Sequence, residues 1–168
     1  PIIDLFAAET GAQLALIAVL LGDELEALAP GVIQRIDREL DRRIFTPYLT
    51  RHFWWMGNAD EPMNNWTAWC TQNVLIAVFA RPLGEDLRRR IVVQAAHSLD
   101  AFLKDYGEDG ACEEGVLYYR HAGLCLFNSL VVLAAAAPAA FAPLWREPKL
   151  RNVAEYILKM HVAGRRYF

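Results

Sequence analysis

Apolar residues recur at steps of three and four along most of the chain, the spacing of one face of an α-helix. The clearest example follows Pro30, a residue suited to a first helical turn. Its apolar face carries Ile33, Ile36, Leu40, Ile44 and Tyr48, and its opposite face is charged. This pattern predicts a helix with one side in the core and the other in solvent.

The same reasoning predicts helices over about 5–21, 30–48, 65–80, 85–106, 113–137 and 148–163, and no segment shows a convincing strand alternation. Turn-forming residues such as Gly107, Gly110, Pro138 and Pro143 separate the later segments. We therefore predict an all-α fold in which residues 1–168 form a single helical domain. Its antiparallel helical hairpins, three in a row, would form part of a curved, incomplete ring.

Composition narrows the classes of function. The 168 residues are 55% hydrophobic and 22% charged, with a formal net charge of -3. Without a basic surface, no nucleic-acid partner is expected, and an anionic ligand would need a local site. The longest apolar run, from Leu14 to Gly22, is shorter than the ~20 residues that span a bilayer, so no membrane partner is expected.

The first residue and the cysteines bear on the protein's context. The chain begins at Pro1 without a signal-like segment, so we expect a fragment of a longer protein and leave its localisation open. Cys70, Cys112 and Cys125 have irregular spacing that matches no zinc pattern. Free thiols in a reducing compartment such as the cytoplasm are favoured, and no metal or other cofactor is expected in this fragment.

Unusual residues concentrate at two loop-to-helix junctions, residues 53–69 and 106–121. Each lies at the N-terminal end of a predicted helix, a position that is electropositive. The first junction carries two amides and four indoles: Asn64, Asn65, Trp54, Trp55, Trp66 and Trp69. The second carries carboxylates, phenols and two basic side chains: Glu113, Glu114, Tyr118, Tyr119, Arg120 and His121.

Structural roles alone could explain these residues, because Asn caps helices and Trp fills cores. Their coincidence also fits a sugar-binding site. Indoles stack on sugar rings, while amides and a guanidinium bind hydroxyls and carboxylates. A Tyr beside an Arg and a His can transfer protons, because a nearby cation lowers the pKa of a phenol.

Two motifs resemble the heparinase II/III and alginate lyase group of polysaccharide lyases. They are the segment from Asn64 to Trp66 (NNW) and the segment from Asp109 to Tyr119 (DGACEEGVLYY), and the resemblance covers about residues 50–135. It implies an (α/α) toroid, followed in the full-length protein by a β-sandwich domain. It also implies an acidic polysaccharide or oligosaccharide substrate containing uronic acid, cleaved by β-elimination in the cleft between the domains.

The resemblance also implies roles for individual residues. Asn65 would neutralise the uronate carboxylate and Tyr119 would transfer protons, with Tyr118 one register step away. Trp66 stands where several family members have His, which moves proton transfer onto Tyr119, assisted by Arg120 or His121. The implied substrate-binding residues are Asn64, Trp54, Trp55, Trp66, Trp69, Glu114 and Tyr118.

The sequence is also compatible with two other functions. A glycoside hydrolase of similar build would need two carboxylates, which Asp60, Asp109, Glu113 and Glu114 could supply. A non-catalytic carbohydrate-binding or assembly module would use the Trp-rich loop as its contact surface. If the ring is incomplete, we expect the fragment to be inactive alone and to self-associate through apolar faces near residues 6–21 and 157–162.

Overall fold

A computed structural model describes residues 1–57 and 62–168 and is mainly helical, which confirms the predicted helical class. The first half contains α1 (Leu5–Leu20), α2 (Gly22–Leu28), α3 (Val32–Leu40), a π-helix (Asp41–Phe45), α4 (Thr46–Thr50) and a 3₁₀ turn (Trp54–Met56). The second half contains α5 (Asn65–Ala80), α6 (Glu85–Asp105), α7 (Gly115–Ala136), α8 (Pro138–Phe141), a second 3₁₀ turn (Ala142–Arg146) and α9 (Pro148–Lys159).

The chain ends differently from the prediction. Instead of continuing to Ala163, α9 stops at Lys159, and a short antiparallel hairpin follows, β1 (His161–Ala163) and β2 (Arg166–Tyr167). Gly164, with a positive φ of 57°, forms its turn. Strands of two or three residues are too short for alternation to be recognised in a sequence.

The helix predicted after Pro30 is divided into three parts. Thr46 N–H donates to the Asp41 carbonyl, the i→i+5 bond of a π-helix. Pro47 follows directly and has no N–H to donate in a regular α-helical ladder. The wider π turn therefore accommodates a proline within an otherwise continuous apolar face.

The chain divides into two compact units, the first comprising residues 1–53 and 70–96. Here α1 begins at Asp4, whose carboxylate accepts from Ala7 N–H at 2.7 Å. Small residues line its buried face: Ala8, Gly11, Ala12, Ala15 and Ala18. A Cβ at Gly11 would lie 3.1 Å from Ile44 Cγ1, so glycine permits the close approach of α1 to the π-helix.

The second unit comprises residues 54–69 and 97–168, and it contains almost all of both junctions. Its core includes the buried face of α7, with Leu126, Leu130 and Leu133, and Val153 of α9. Ser98 Oγ of α6 donates to the Met56 carbonyl at 2.8 Å and fixes the 3₁₀ turn. Residues 54–69 of the first junction and the whole of the second therefore belong to the same unit.

One described helix, α7, is long and apolar enough to cross a membrane, and the pair α1 and α2, bent by 88°, passes the same test taken together. About 39% of the apolar window of α7 is buried within the protein. Core helices share this length and composition, so the property alone assigns no membrane.

Candidate functional site at two helix N-termini

The N-termini of α5 and α7 meet through one side-chain contact. The Glu114 carboxylate accepts from Asn65 backbone N–H at 2.7 Å and from Asn65 Nδ2 at 2.5 Å, across 49 residues of sequence. Asn65 is only 5% exposed, whereas Glu114 is exposed. The two motifs singled out in the sequence therefore lie side by side at the electropositive ends of two helices.

Asn64 begins the first turn of α5. Its Oδ1 accepts from Trp66 N–H at 3.0 Å, and its carbonyl accepts from Thr67 N–H at 3.1 Å. These bonds satisfy N–H groups that a helix leaves free at its start. The two adjacent amides therefore have different roles. Asn64 caps the helix, and Asn65 binds the Glu114 carboxylate.

An aromatic cluster lies one helical turn further along both helices. The Trp69 and His121 rings stack with centroids 3.8 Å apart and planes at 11°. The Tyr118 ring centroid is 6.2 Å from that of His121, and Tyr118 is 45% exposed. A solvent-accessible phenol therefore lies beside an imidazole whose orientation is fixed by an indole.

The other indoles of the first junction have different environments. Trp54 and Trp66 form a tilted pair with centroids 5.4 Å apart, and Trp54 is 39% exposed. Trp55 is only 1% exposed, so its ring belongs to the core and has no face open to a ligand. Of these three predicted sugar-stacking residues, Trp54 offers the most accessible surface.

Tyr119 does not have the environment expected of a proton-transfer group. Its hydroxyl donates to the Val153 carbonyl at 2.9 Å, and its ring centroid is 5.3 Å from that of Tyr156. Burial, and secondarily the neighbouring Cys112 thiol, raise the pKa of Tyr119. Arg120, expected to lower that pKa, is exposed, and the direction of the shift is opposite to the expectation.

A second group of residues, not anticipated from the sequence, surrounds Cys112. Three phenols, Tyr106, Tyr119 and Tyr156, lie close to this thiol, and Tyr156 OH donates to the Cys112 carbonyl at 3.5 Å. Burial raises the pKa of Cys112 and of all three phenols. We call these four residues the Cys112 cluster; its members stay protonated at neutral pH.

A cavity of about 250 Å³ lies in the second unit, and its lining includes Glu114 and Cys112. It is lined by both polar and apolar residues, namely Pro62, Met63, Asn64, Phe102, Asp105, Tyr106, Ala111, Cys112, Glu113, Glu114 and Ala122. Asp105 at the end of α6 accepts from Met63 N–H at 2.9 Å. Asp105 ends α6 and Tyr106 follows it. The periodicity of that helix gives no sign of a site, so only the folded chain reveals the place of these two residues.

Three further predictions concern metals, thiols and a carboxylate. Within residues 1–57 and 62–168, no group of three His, Cys, Asp or Glu side chains could hold a metal ion. All three cysteines are buried thiols. Asp60, a candidate carboxylate for the hydrolase, lies outside the described residues.

Comparison of the sequence with protein-family models and with curated proteins finds no match. The resemblance to polysaccharide lyases thus stays a prediction that depends on the two motifs.

Proposed function

We propose that this chain belongs to the toroid domain of a heparinase II/III-like polysaccharide lyase, which cleaves uronate-containing polymers by β-elimination. One observation carries the proposal: Asn65, whose backbone N–H and side-chain amide both donate to the Glu114 carboxylate, lies where two helix N-termini meet. The Asn65 side-chain nitrogen carries a second hydrogen, and elimination requires a donor of this kind because removing the C5 proton places additional negative charge on the uronate carboxylate.

The aromatic cluster supports a proton-transfer step beside this amide. Tyr118 is accessible and adjacent to His121, whereas the Tyr119 hydroxyl is bonded to the Val153 carbonyl. We assign proton transfer to Tyr118 with His121 beside it. In this step the C5 proton passes to the base, the C4–O4 bond breaks, the leaving oxygen receives a proton, and a C4=C5 double bond forms.

The toroid belongs to the same proposal. The loops that join α5 to α6 and α6 to α7 are short enough for helical hairpins, and α8 with the second 3₁₀ turn joins α7 to α9. A complete (α/α) ring and a β-sandwich domain would come from the rest of the full-length protein. The Trp54 and Trp66 pair would provide a platform for a sugar ring.

A matched pair of tyrosine variants tests this assignment in the full-length protein. Tyr118→Phe should lower kcat/KM for a uronate polymer at least ~100-fold, the scale of general acid–base catalysis. Tyr119→Phe should keep most activity and instead lose about 1 kcal/mol of stability with its hydrogen bond to Val153. Unchanged activity in Tyr118→Phe would reject the assignment.

The carboxylates of the cavity favour one second candidate, a glycoside hydrolase. Asp105, Glu113 and Glu114 all line the same cavity, and hydrolysis of a glycosidic bond uses two carboxylates. A hydrolase would release saturated products and lose activity in Glu113→Gln while tolerating Tyr118→Phe. Polymer binding without any turnover would instead identify a binding module.

A further inference from the structure

Both oxygens of the Glu114 carboxylate accept a hydrogen bond from the same residue. Each of its oxygens accepts one N–H of Asn65: Oε2 takes the backbone donor at 2.7 Å and Oε1 takes Nδ2 at 2.5 Å. A carboxylate with both oxygens engaged fixes the plane of the amide that it binds. Asn65 is buried, so its side chain has little other freedom.

The position of Glu114 is in turn fixed by the loop before α7. Gly115 N–H donates to the Cys112 carbonyl at 2.9 Å, which closes a turn around Glu114. Earlier in the loop, buried Gly110 packs directly on the backbone of Asn152 and Val153 in α9. A continuous set of contacts therefore runs from α9 through this loop to Glu114 and Asn65, all within the second unit.

We propose that Glu114 is a positioning residue that orients the Asn65 amide toward the substrate carboxylate, an inference that rests on the proposed lyase function. The Asn65 side-chain nitrogen carries two hydrogens. One is held by Glu114, and the second is thereby directed toward the carboxylate of the bound uronate. In this role Glu114, which lines the cavity, acts through Asn65 and not through the substrate-binding role that the family resemblance implies.

A particular kinetic signature is expected for Glu114→Gln in the full-length protein. Gln keeps one acceptor oxygen but places an NH₂ group opposite an N–H of Asn65, so the amide loses its fixed orientation. We expect kcat to fall roughly 10- to 100-fold, as when a supporting contact behind a reacting group is lost, with KM changed less than about threefold. Glu108→Gln, an exposed carboxylate of the same loop, is the matched control and should leave kcat unchanged.

Chemical rescue separates positioning from simple loss of stability. In Glu114→Ala, added acetate can occupy the space of the missing carboxylate and should restore part of kcat. No rescue is expected in the Asn65→Ala/Glu114→Ala double variant, which lacks the amide to be oriented. A merely structural role would lower the unfolding temperature of Glu114→Ala without acetate-dependent recovery of kcat.

Failure of this inference is distinct from failure of the lyase function. If the wild-type protein forms no unsaturated product, the lyase proposal is rejected. If the wild type is active but Glu114→Gln raises only KM, or leaves kcat unchanged, the positioning role is overturned. The contact itself is read from the ¹⁵N NMR signals of the Asn65 side-chain amide, which must shift in Glu114→Gln; unchanged signals would also overturn the inference.

Discussion

Gly110 is the residue of the second junction that packs directly on the backbone of α9. Its φ is +76°, and a Cβ atom there would overlap the backbone of Asn152 and Val153. Only glycine therefore allows the loop to lie directly against α9. The first glycine of the DGACEEG segment is therefore required for packing against α9 as well as for the turn.

We expect Gly110→Ala to lower the free energy of unfolding by about 2–4 kcal/mol, which combines backbone strain and steric overlap. Gly31→Ala is the control, because its φ is +86° but its added Cβ would meet nothing within 4 Å. Gly31→Ala should lower the free energy of unfolding by only about 1–2 kcal/mol. Urea unfolding measures both, and equal losses in the two variants would contradict the proposed contact with α9.

At the scale of single residues, the sequence predicts the two junctions. It does not predict which of the two adjacent tyrosines, Tyr118 or Tyr119, is accessible to solvent. The resemblance points to Tyr119, while the structure gives its hydroxyl a backbone partner and leaves Tyr118 accessible. Which of two neighbouring tyrosines faces outward depends on where α9 packs against α7. That packing is tertiary, so periodicity within one helix cannot decide it.

At the scale of elements, an ion pair joins α3 to the residue that follows α5. Arg81 donates to Asp37 through Nε at 2.6 Å and through Nη2 at 3.0 Å, and Arg81 is only 8% exposed. Such a bidentate pair has strong directional geometry. Removing the acid leaves a buried cation without its partner, which is costly.

Asp37→Asn should therefore destabilise the protein by about 1–3 kcal/mol, less than for a fully buried pair because Asp37 is partly exposed. Asp86→Asn breaks the exposed pair with Arg89 and should change stability by no more than about 0.5 kcal/mol. Chemical denaturation compares the two. Similar small losses in both variants would show that the Arg81 pair adds nothing beyond a surface contact.

Because of the Cys112 cluster, we expect the free energy of unfolding to fall at alkaline pH. Burial raises the folded-state pKa of Cys112, Tyr106, Tyr119 and Tyr156 above their ordinary values of 9.0 and 10.0. Above those values the unfolded chain releases protons that the folded chain retains, so the free energy of unfolding falls as pH rises. At pH values below these ordinary pKa values, the contribution of the cluster to the free energy of unfolding is fully present.

Urea unfolding between about pH 8 and 11 should show this decline beginning near pH 9. Tyr106→Phe should make the decline shallower, because it removes the phenol with the largest rise in pKa. Tyr167→Phe, at an exposed position in the hairpin, is the control. An identical slope in wild type and Tyr106→Phe would exclude a contribution from the cluster.

Element boundaries were predictable where helix signals are local. The prediction for α5 matches Asn65–Ala80, because the NNW start and the Pro82 that follows both mark its ends. The C-terminal hairpin and the π-helix were missed, since one is very short and the other keeps a helical apolar face. The Asn65–Glu114 contact joins distant segments, and no local pattern specifies it.

At the scale of the whole molecule, apolar side chains are exposed in the two regions expected to associate. Phe6 and Leu20 of α1 are 80% and 73% exposed, and Leu158 and Val162 near the C-terminus are 73% and 53% exposed. Exposed apolar groups of this kind mark interaction surfaces when they are contiguous. We expect the 168-residue chain to self-associate in solution.

Sedimentation velocity over a range of concentrations measures this association. Phe6→Ser/Leu20→Ser should shift the chain toward monomer, because it removes apolar surface from α1. Val93→Ser, an exposed apolar position on α6, is the control for general changes in solubility. A strictly monomeric wild-type chain at high concentration would argue against an incomplete helical ring.

The cavity, the amide at the start of α5 and the aromatic cluster lead to one chemical claim, elimination at a uronate. The most direct test incubates the full-length wild-type protein with uronate-containing polymers and identifies the new non-reducing end by ultraviolet absorbance and mass spectrometry. We predict a C4=C5-unsaturated uronate, formed at a rate that falls sharply in Tyr118→Phe. Saturated ends alone, or no cleavage of any uronate polymer, would contradict this claim.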